Sequence, residues 1–267
     1  MFRCGDSLVL RFHPDEAERA RLVAELTRRL AAAGAPVAAA VPSFDGRLVV
    51  PDAESGYAAH AHEAVQGWQV GGDGVTSARS RAWGQGLARL HQAAEQLDAP
   101  LAVPSWIDVV EGASGAIATQ LRGLPTGTGV AGIVHGDPEL DNVLWRDEDE
   151  PVFVDLDDAS HSWFAADVCF ALRDFAQPGR APDSEREPVS SFLAGYRDVR
   201  PLADEELSWL PLFARAHAAV TLVGLEQTVA EPAAEDWPPW AYALRQRVEA
   251  TARSLSAALA MEGAALA

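Results

Sequence analysis

Residues 133–145 read IVHGDPELDNVLW. Two β-branched residues run into His-Gly-Asp, an Asn follows five places after the Asp, and apolar residues resume at once. A tight turn between strands needs only Gly or Asn-Gly, so an Asp and an Asn at this spacing call for another reason. A second stretch, VFVDLDDA (152–159), ends a short apolar run in Asp155, Asp157 and Asp158, and the acidic turn RDEDEP (146–151) separates the two.

Phosphoryl transfer supplies that reason. The migrating group and its leaving oxygen are negative, and a divalent cation with hard oxygen ligands offsets that charge. In this reading Asp137 orients or deprotonates an attacking hydroxyl. Asn142 gives a neutral carbonyl oxygen and Asp155 an anionic one, so that together they hold Mg²⁺ against nucleotide phosphates while the metal keeps net positive charge.

The totals set bounds. With 267 residues, 48% of them hydrophobic, the chain can bury a sizeable core. A net charge of −18 argues against nucleic acid and anionic membranes as partners. Cys4 and Cys169 stand in unrelated contexts, no Cys or His set has zinc spacing, and no secretion signal or membrane span is evident, so a reducing cytoplasm is expected.

Working outward, SLVLRF (7–12) is expected as a strand, followed by a helix with Pro14 at its first position, Asp15 and Glu16 in its first turn and Gly34 as its stop. Leu22, Val23, Leu26 and Leu30 form its apolar stripe. Strands are expected at 46–50 and 57–65. The glycine-rich 67–75 connects two lobes and lacks the Lys-Ser/Thr ending of a phosphate loop. From Ala78, Trp83, Leu87, Leu90, Ala94 and Leu97 recur at helical spacing. Pro and Gly interrupt 100–129. Short strands follow near 133–134, 143–145 and 152–155, then helices over 163–176, 186–198, 203–230 and 238–260. The class is α+β: a small antiparallel-sheet lobe (1–67), a larger helical lobe (68–267), and a cleft between them.

His135-Gly136-Asp137, then Asn142, then Asp155 and Asp157, resembles the aminoglycoside phosphotransferase and choline kinase-like family, which shares the protein-kinase architecture. LARLH (87–91) is similar to the family's helix before the catalytic segment. Asp167 in AADVCFAL is similar to its loop-buttressing Asp, and FLAGYR (192–197) to a helical-lobe motif. The resemblance implies Asp137 as catalytic base or orienter, Asn142 and Asp155 as Mg²⁺ ligands, and Asp157 as a further metal contact. ATP or GTP would be the donor and a small-molecule hydroxyl the acceptor. It also implies that Arg11 stands where the family has a phosphate-gripping Lys, with Glu25 as its ion-pair partner, and that adenine meets the backbone near Glu63 and Val65.

His135 and His91 are expected to be structural, Trp145 and Phe153 to be core, and Asp158 to face solvent or cap a helix. Asp204, Glu205, Trp209 and Trp237 are candidates for the acceptor pocket or, alternatively, a solvated face and core. Only ten residues precede Arg11, which leaves no room for a first strand and glycine-rich flap. The small lobe is therefore expected to be truncated or genuinely flapless. The FVDLDDA stretch also resembles stress-response protein kinases, so a protein hydroxyl is an alternative acceptor. Two further readings stay open: a kinase-fold binding module with little catalysis, and a metal-dependent hydrolase on Asp155, Asp157 and Asp158.

Overall fold

The computed structural model describes residues 2–14, 17–52, 54–97, 101–230 and 237–265. Strands β1 (Phe2–Cys4) and β2 (Leu8–Pro14) form a hairpin over the Gly5 turn, where φ is +59°. Helix α1 (Ala17–Ala32) follows and stops at Gly34, which takes the left-handed conformation that favours glycine there. Strands β3 (Ala40–Val41), β4 (Val49–Asp52) and β5 (Tyr57–Glu63) complete an antiparallel sheet. β5 is central: β2 pairs along its whole length on one side, and β3 and β4 share the other.

Pro14 does not open the helix. It ends β2, opposite Tyr57, where a missing N–H is tolerated. Asp15 and Glu16 lie outside the described residues. Val23, Leu26 and Leu30 of α1 are buried in the main core, so the helix ties the sheet to the rest of the molecule; Leu22, expected with them, is only partly buried.

The helical part begins with α2 (Ser77–Glu95), capped by the Thr76 hydroxyl. The interrupted segment holds two short helices, α3 (Trp106–Ala113) and α4 (Gly115–Arg122), that the sequence reading left unassigned. Then come β6 (Ala131–Val134), the hairpin β7 (Val143–Trp145) and β8 (Pro151–Phe153), and β9 (Ser160–Trp163), an unexpected strand that pairs with β6. Helices α5 (Phe164–Ala171), α6 (Glu187–Val199), α7 (Asp204–Ser208), α8 (Leu210–Ala230) and α9 (Pro239–Ala265) follow. The helix expected over 203–230 is thus broken at Trp209, just before Pro211. Trp83, Trp145, Phe153, Phe164 and Phe192 lie in the core without exposure, as expected for Trp145 and Phe153. Among the described residues no helix is long and apolar enough to cross a membrane.

α2 and α6 cross with their backbones in contact. A Cβ on Gly195 would lie 2.0 Å from the Arg81 carbonyl oxygen, and one on Gly84 would lie 2.1 Å from that of Phe192. This crossing carries His91 and Tyr196, so its spacing bears on the site. Gly195→Ala is expected to destabilise the fold by roughly 1–3 kcal/mol, read as a lower urea midpoint at unchanged m-value; an unchanged midpoint would contradict the close crossing.

A second feature sits between the sheet and α1. His13 stacks on His60 at 4.8 Å, and His60 meets His62 edge-on at 4.7 Å. His60 is 2% exposed, and neither of its ring nitrogens has a partner. Burial first, then the charges of His62, His13 and Arg11, hold its pKa down to about 3. The unfolded chain therefore binds the proton more readily, and stability falls as pH drops below about 6.5, by up to roughly 1.4 kcal/mol per pH unit for one such histidine. Urea midpoints at pH 7.5 and 5.0 should show this loss, and His60→Phe should reduce it.

Candidate active site

The loop after β6 is held from below. Asp167, wholly buried on α5, accepts the backbone N–H of His135 at 3.0 Å on one oxygen and that of Gly136 at 2.9 Å on the other. His91 donates to the same carboxylate at 2.9 Å through Nε2, accepts from the Tyr196 hydroxyl at 2.7 Å through Nδ1, and is kept neutral by burial. Arg200 reaches the Tyr196 oxygen at 3.4 Å, pairs with Glu95, and lies 4.0 Å over the Phe164 ring. Asp167 and His91 are thus structural groups, as the sequence suggests. Gly136 is required twice over: its φ is +89°, and a Cβ would fall 2.0 Å from the Asp158 carbonyl oxygen.

His135 is fully buried. Its Nε2 donates to the Val154 carbonyl at 3.0 Å, and Nδ1 faces the Asp137 N–H at 3.3 Å. The ring thereby ties the loop to the segment after β8.

Asn142 turns its side chain back onto Asp137, and Nδ2 donates to the backbone oxygen at 2.9 Å and to Oδ2 at 3.0 Å. With the nitrogen spent, the amide oxygen is the group left to face the cleft. Asp155 leaves β8 at φ 62° and ψ 63°, the only non-glycine with positive φ among the described residues. Such strain is found where a side chain must be aimed. Asn142 and Asp155 line one cavity of about 340 Å³ between the sheet and the helical part, together with Arg11, Glu63 and Val65.

Arg11 pairs with Asp155 at 2.8 Å and with Asp157 at 2.6 Å. Glu25 does not join it. Arg28 and then Arg29, one turn along α1, take its carboxylate and hold its pKa down to about 2. The expected Arg11–Glu25 pair is corrected on this point: local partners at i+3 and i+4 outcompete one on another element.

On the far side of Asp137 lies a second cavity of about 460 Å³, lined by Asp137, Asp158, Arg19, Trp106, Arg173 and Thr221 among others. Arg173, in the turn after α5, donates to Asp137 Oδ1 and pairs with Glu139. It also meets His217 Nε2 at 3.2 Å, and burial first, then the Arg173 charge, lowers that histidine's pKa to about 4. Asp158 is solvent-exposed yet sits in a concave floor, where desolvation and the neighbouring Asp137 push its carboxyl up. Glu139 shifts the same way, chiefly through burial.

Arg173, Glu139, His217, Trp106 and Arg19 were not found from the sequence; no local spacing marks them. The four acceptor-pocket candidates line neither cavity. Asp204 is on the surface with Arg197, Glu205 is exposed, Trp209 packs against the core, and Trp237 meets Tyr242.

The donor set suits Mg²⁺: an amide oxygen on Asn142, carboxylates on Asp155 and Asp157, and an Asp157 Oδ1 that is buried without a partner. Among the described residues no three His, Cys, Asp or Glu side chains cluster for a metal. Asn142, Asp155 and Asp157 would hold such an ion by hard oxygens, the rest of its ligands coming from phosphate and water.

This architecture is a protein-kinase-like fold, and the comparisons agree on the fold. The description "phosphotransferase enzyme family" matches residues 1–109 and 107–205, and the chain belongs to that family. A homoserine kinase of Neisseria meningitidis serogroup B is 26% identical over 211 residues, 72% of this chain and 66% of that protein. One from Beijerinckia indica is 31% identical over 172 residues, 56% of this chain and 52% of that protein. An uncharacterised Synechocystis protein is 36% identical over 33% of this chain, and the match spans only 23% of its length. The chain thus spans from about a quarter to two thirds of these relatives. Among solved structures, the amicoumacin kinase hAmiN aligns with a TM-score of 0.71 at 20% identity over 92% of this chain and 80% of that one. A microcompartment-associated aminopropanol kinase aligns with a TM-score of 0.69 at 20% identity over 96% and 85%.

Asp167→Asn keeps the size of the side chain but turns an amide nitrogen toward an N–H donor. It should destabilise by roughly 2–5 kcal/mol, measured by chemical denaturation; a loss below about 1 kcal/mol would contradict its role under the loop.

Proposed function

We propose that the protein transfers the γ-phosphoryl group of ATP or GTP to a hydroxyl of a small molecule, with Mg²⁺ as cofactor. One observation carries this reading. Asn142 and Asp155 face the inter-lobe cavity, Asp137 faces the other cavity, and the Asn142–Asp137 hydrogen bonds join the two. A donor on one side and an acceptor on the other would meet at this pair.

In the reaction the acceptor oxygen bonds to the γ-phosphorus as the bond to the β,γ-bridging oxygen breaks, and the hydroxyl proton passes to Asp137 and on to water. Asp137 is held by Asn142 on one oxygen and Arg173 on the other, so its rotamer is set before substrate arrives. Mg²⁺, when bound, would offset charge on the phosphates; Asn142, Asp155 and Asp157 are the residues to hold it. Arg11 carries a fork of donors that suits phosphate oxygens as well as the carboxylates it holds here. Glu63 and Val65 border the space proposed for adenine.

A second reading, a nucleotide-binding module without turnover, draws on the Arg11 bridge, which already occupies both carboxylates intended for the metal. The two readings separate on Asp137→Asn. As an enzyme, the protein should lose NDP release in the presence of acceptor by roughly 10²–10⁴-fold, with Mg²⁺-dependent thermal stabilisation by nucleotide intact. Equal turnover in variant and wild type would overturn the proposal, and stabilisation without turnover in the wild type would favour the module.

A further inference from the structure

One cation in the wall of the acceptor-side cavity stands apart from the others. Arg19, half-buried on α1, lines this cavity and forms no ion pair or hydrogen bond with any described residue. Its charge acts on Asp158, yet the two do not pair. By contrast, Arg173 in the same wall is committed to Asp137 and Glu139. The remaining lining includes Trp106, Val109 and Val220, an apolar strip between the charged groups. The space therefore offers one open positive pole at Arg19, one open negative pole at Asp158, and Asp137 where a hydroxyl would react.

A polycationic acceptor would satisfy Asp158 but leave Arg19 facing like charge. An amino alcohol would leave Arg19 without a partner. A short hydroxy amino acid satisfies all three: carboxylate to Arg19, ammonium to Asp158, hydroxyl to Asp137. Resting on the phosphotransferase reading above, we infer that the acceptor carries a carboxylate and that Arg19 of α1 is the residue that selects for it. The sheet-side helix thus contributes to acceptor choice as well as to the core. Atoms and protons balance as in the reaction already given, since the carboxylate and ammonium groups are bound and not transformed.

The test compares L-homoserine with 3-amino-1-propanol, the same chain length without the carboxylate. Binding to the full-length protein saturated with Mg²⁺ and a non-hydrolysable ATP analogue is measured by calorimetry, and NDP release with ATP gives kcat and KM. L-Homoserine should bind at least 10-fold more tightly. Arg19→Met should weaken it by roughly 10- to 100-fold, mainly through KM, leave 3-amino-1-propanol and analogue binding unchanged, and be partly rescued by Arg19→Lys. Tighter or equal binding of the amino alcohol, equal weakening of both by Arg19→Met, or no binding of L-homoserine to the nucleotide-loaded protein each overturns the inference while leaving the phosphotransferase reading standing. Failure of the nucleotide analogue to bind would remove both.

Discussion

Asp167 is shielded from solvent and takes three hydrogen bonds, two from the backbone of the loop that presents Asp137 and one from His91. A carboxylate so placed costs stability unless every lone pair finds a donor. The donors come from α2 and from the His135–Gly136 backbone, and Tyr196 of α6 holds His91 in turn. The loop is therefore fixed by helices that could not approach one another without Gly84 and Gly195. Removing any one member leaves a buried polar group unpaired, so the network joins core packing directly to the geometry at Asp137.

Above that support the site is electrostatically symmetric. Arg11 bridges Asp155 and Asp157 on the cleft side, and Arg173 bridges Asp137 and Glu139 on the other. Each guanidinium bridges two carboxylates that would otherwise repel one another, and its single positive charge leaves each trio with a net charge of about −1. Under the proposed reaction the two bridges have different fates. Arg11 has phosphate oxygens to turn to, whereas Arg173 keeps hold of the group that receives the hydroxyl proton. Arg19 has no such partner among the described residues, which is why we assign acceptor choice to it.

That Asp137, Asn142 and Asp155 would come together was legible in the sequence, because they sit on one loop and one strand end and their spacing survives as a pattern. Glu63 and Val65, named from the resemblance as neighbours of adenine, line the same cavity as Asn142 and Asp155. What escaped depended on distant pairing. Arg173 and His217 reach Asp137 only because α5 and α8 pack beside the loop, and nothing around LRDFA marks that. Arg11–Glu25 failed for the opposite reason: Arg28 and Arg29 lie within a turn of Glu25. α3 and α4 were hidden by Gly112 and Gly115, which read as breakers although each helix spans only eight residues. β9, with its SHSW sequence, owes its strand state to β6 and not to its own alternation.

In the proposed reaction the donor and acceptor spaces meet at the Asp137–Asn142 pair. The most direct measurement is a crystal structure of the protein with a non-hydrolysable ATP analogue and Mn²⁺ in place of Mg²⁺, with the metal located by its anomalous signal. The expected result is a metal peak within bonding distance of Asn142 Oδ1 and an Asp155 oxygen, Arg11 turned to phosphate, and the γ-phosphate directed at Asp137. A nucleotide bound elsewhere, or a metal peak away from both Asn142 and Asp155, would contradict it.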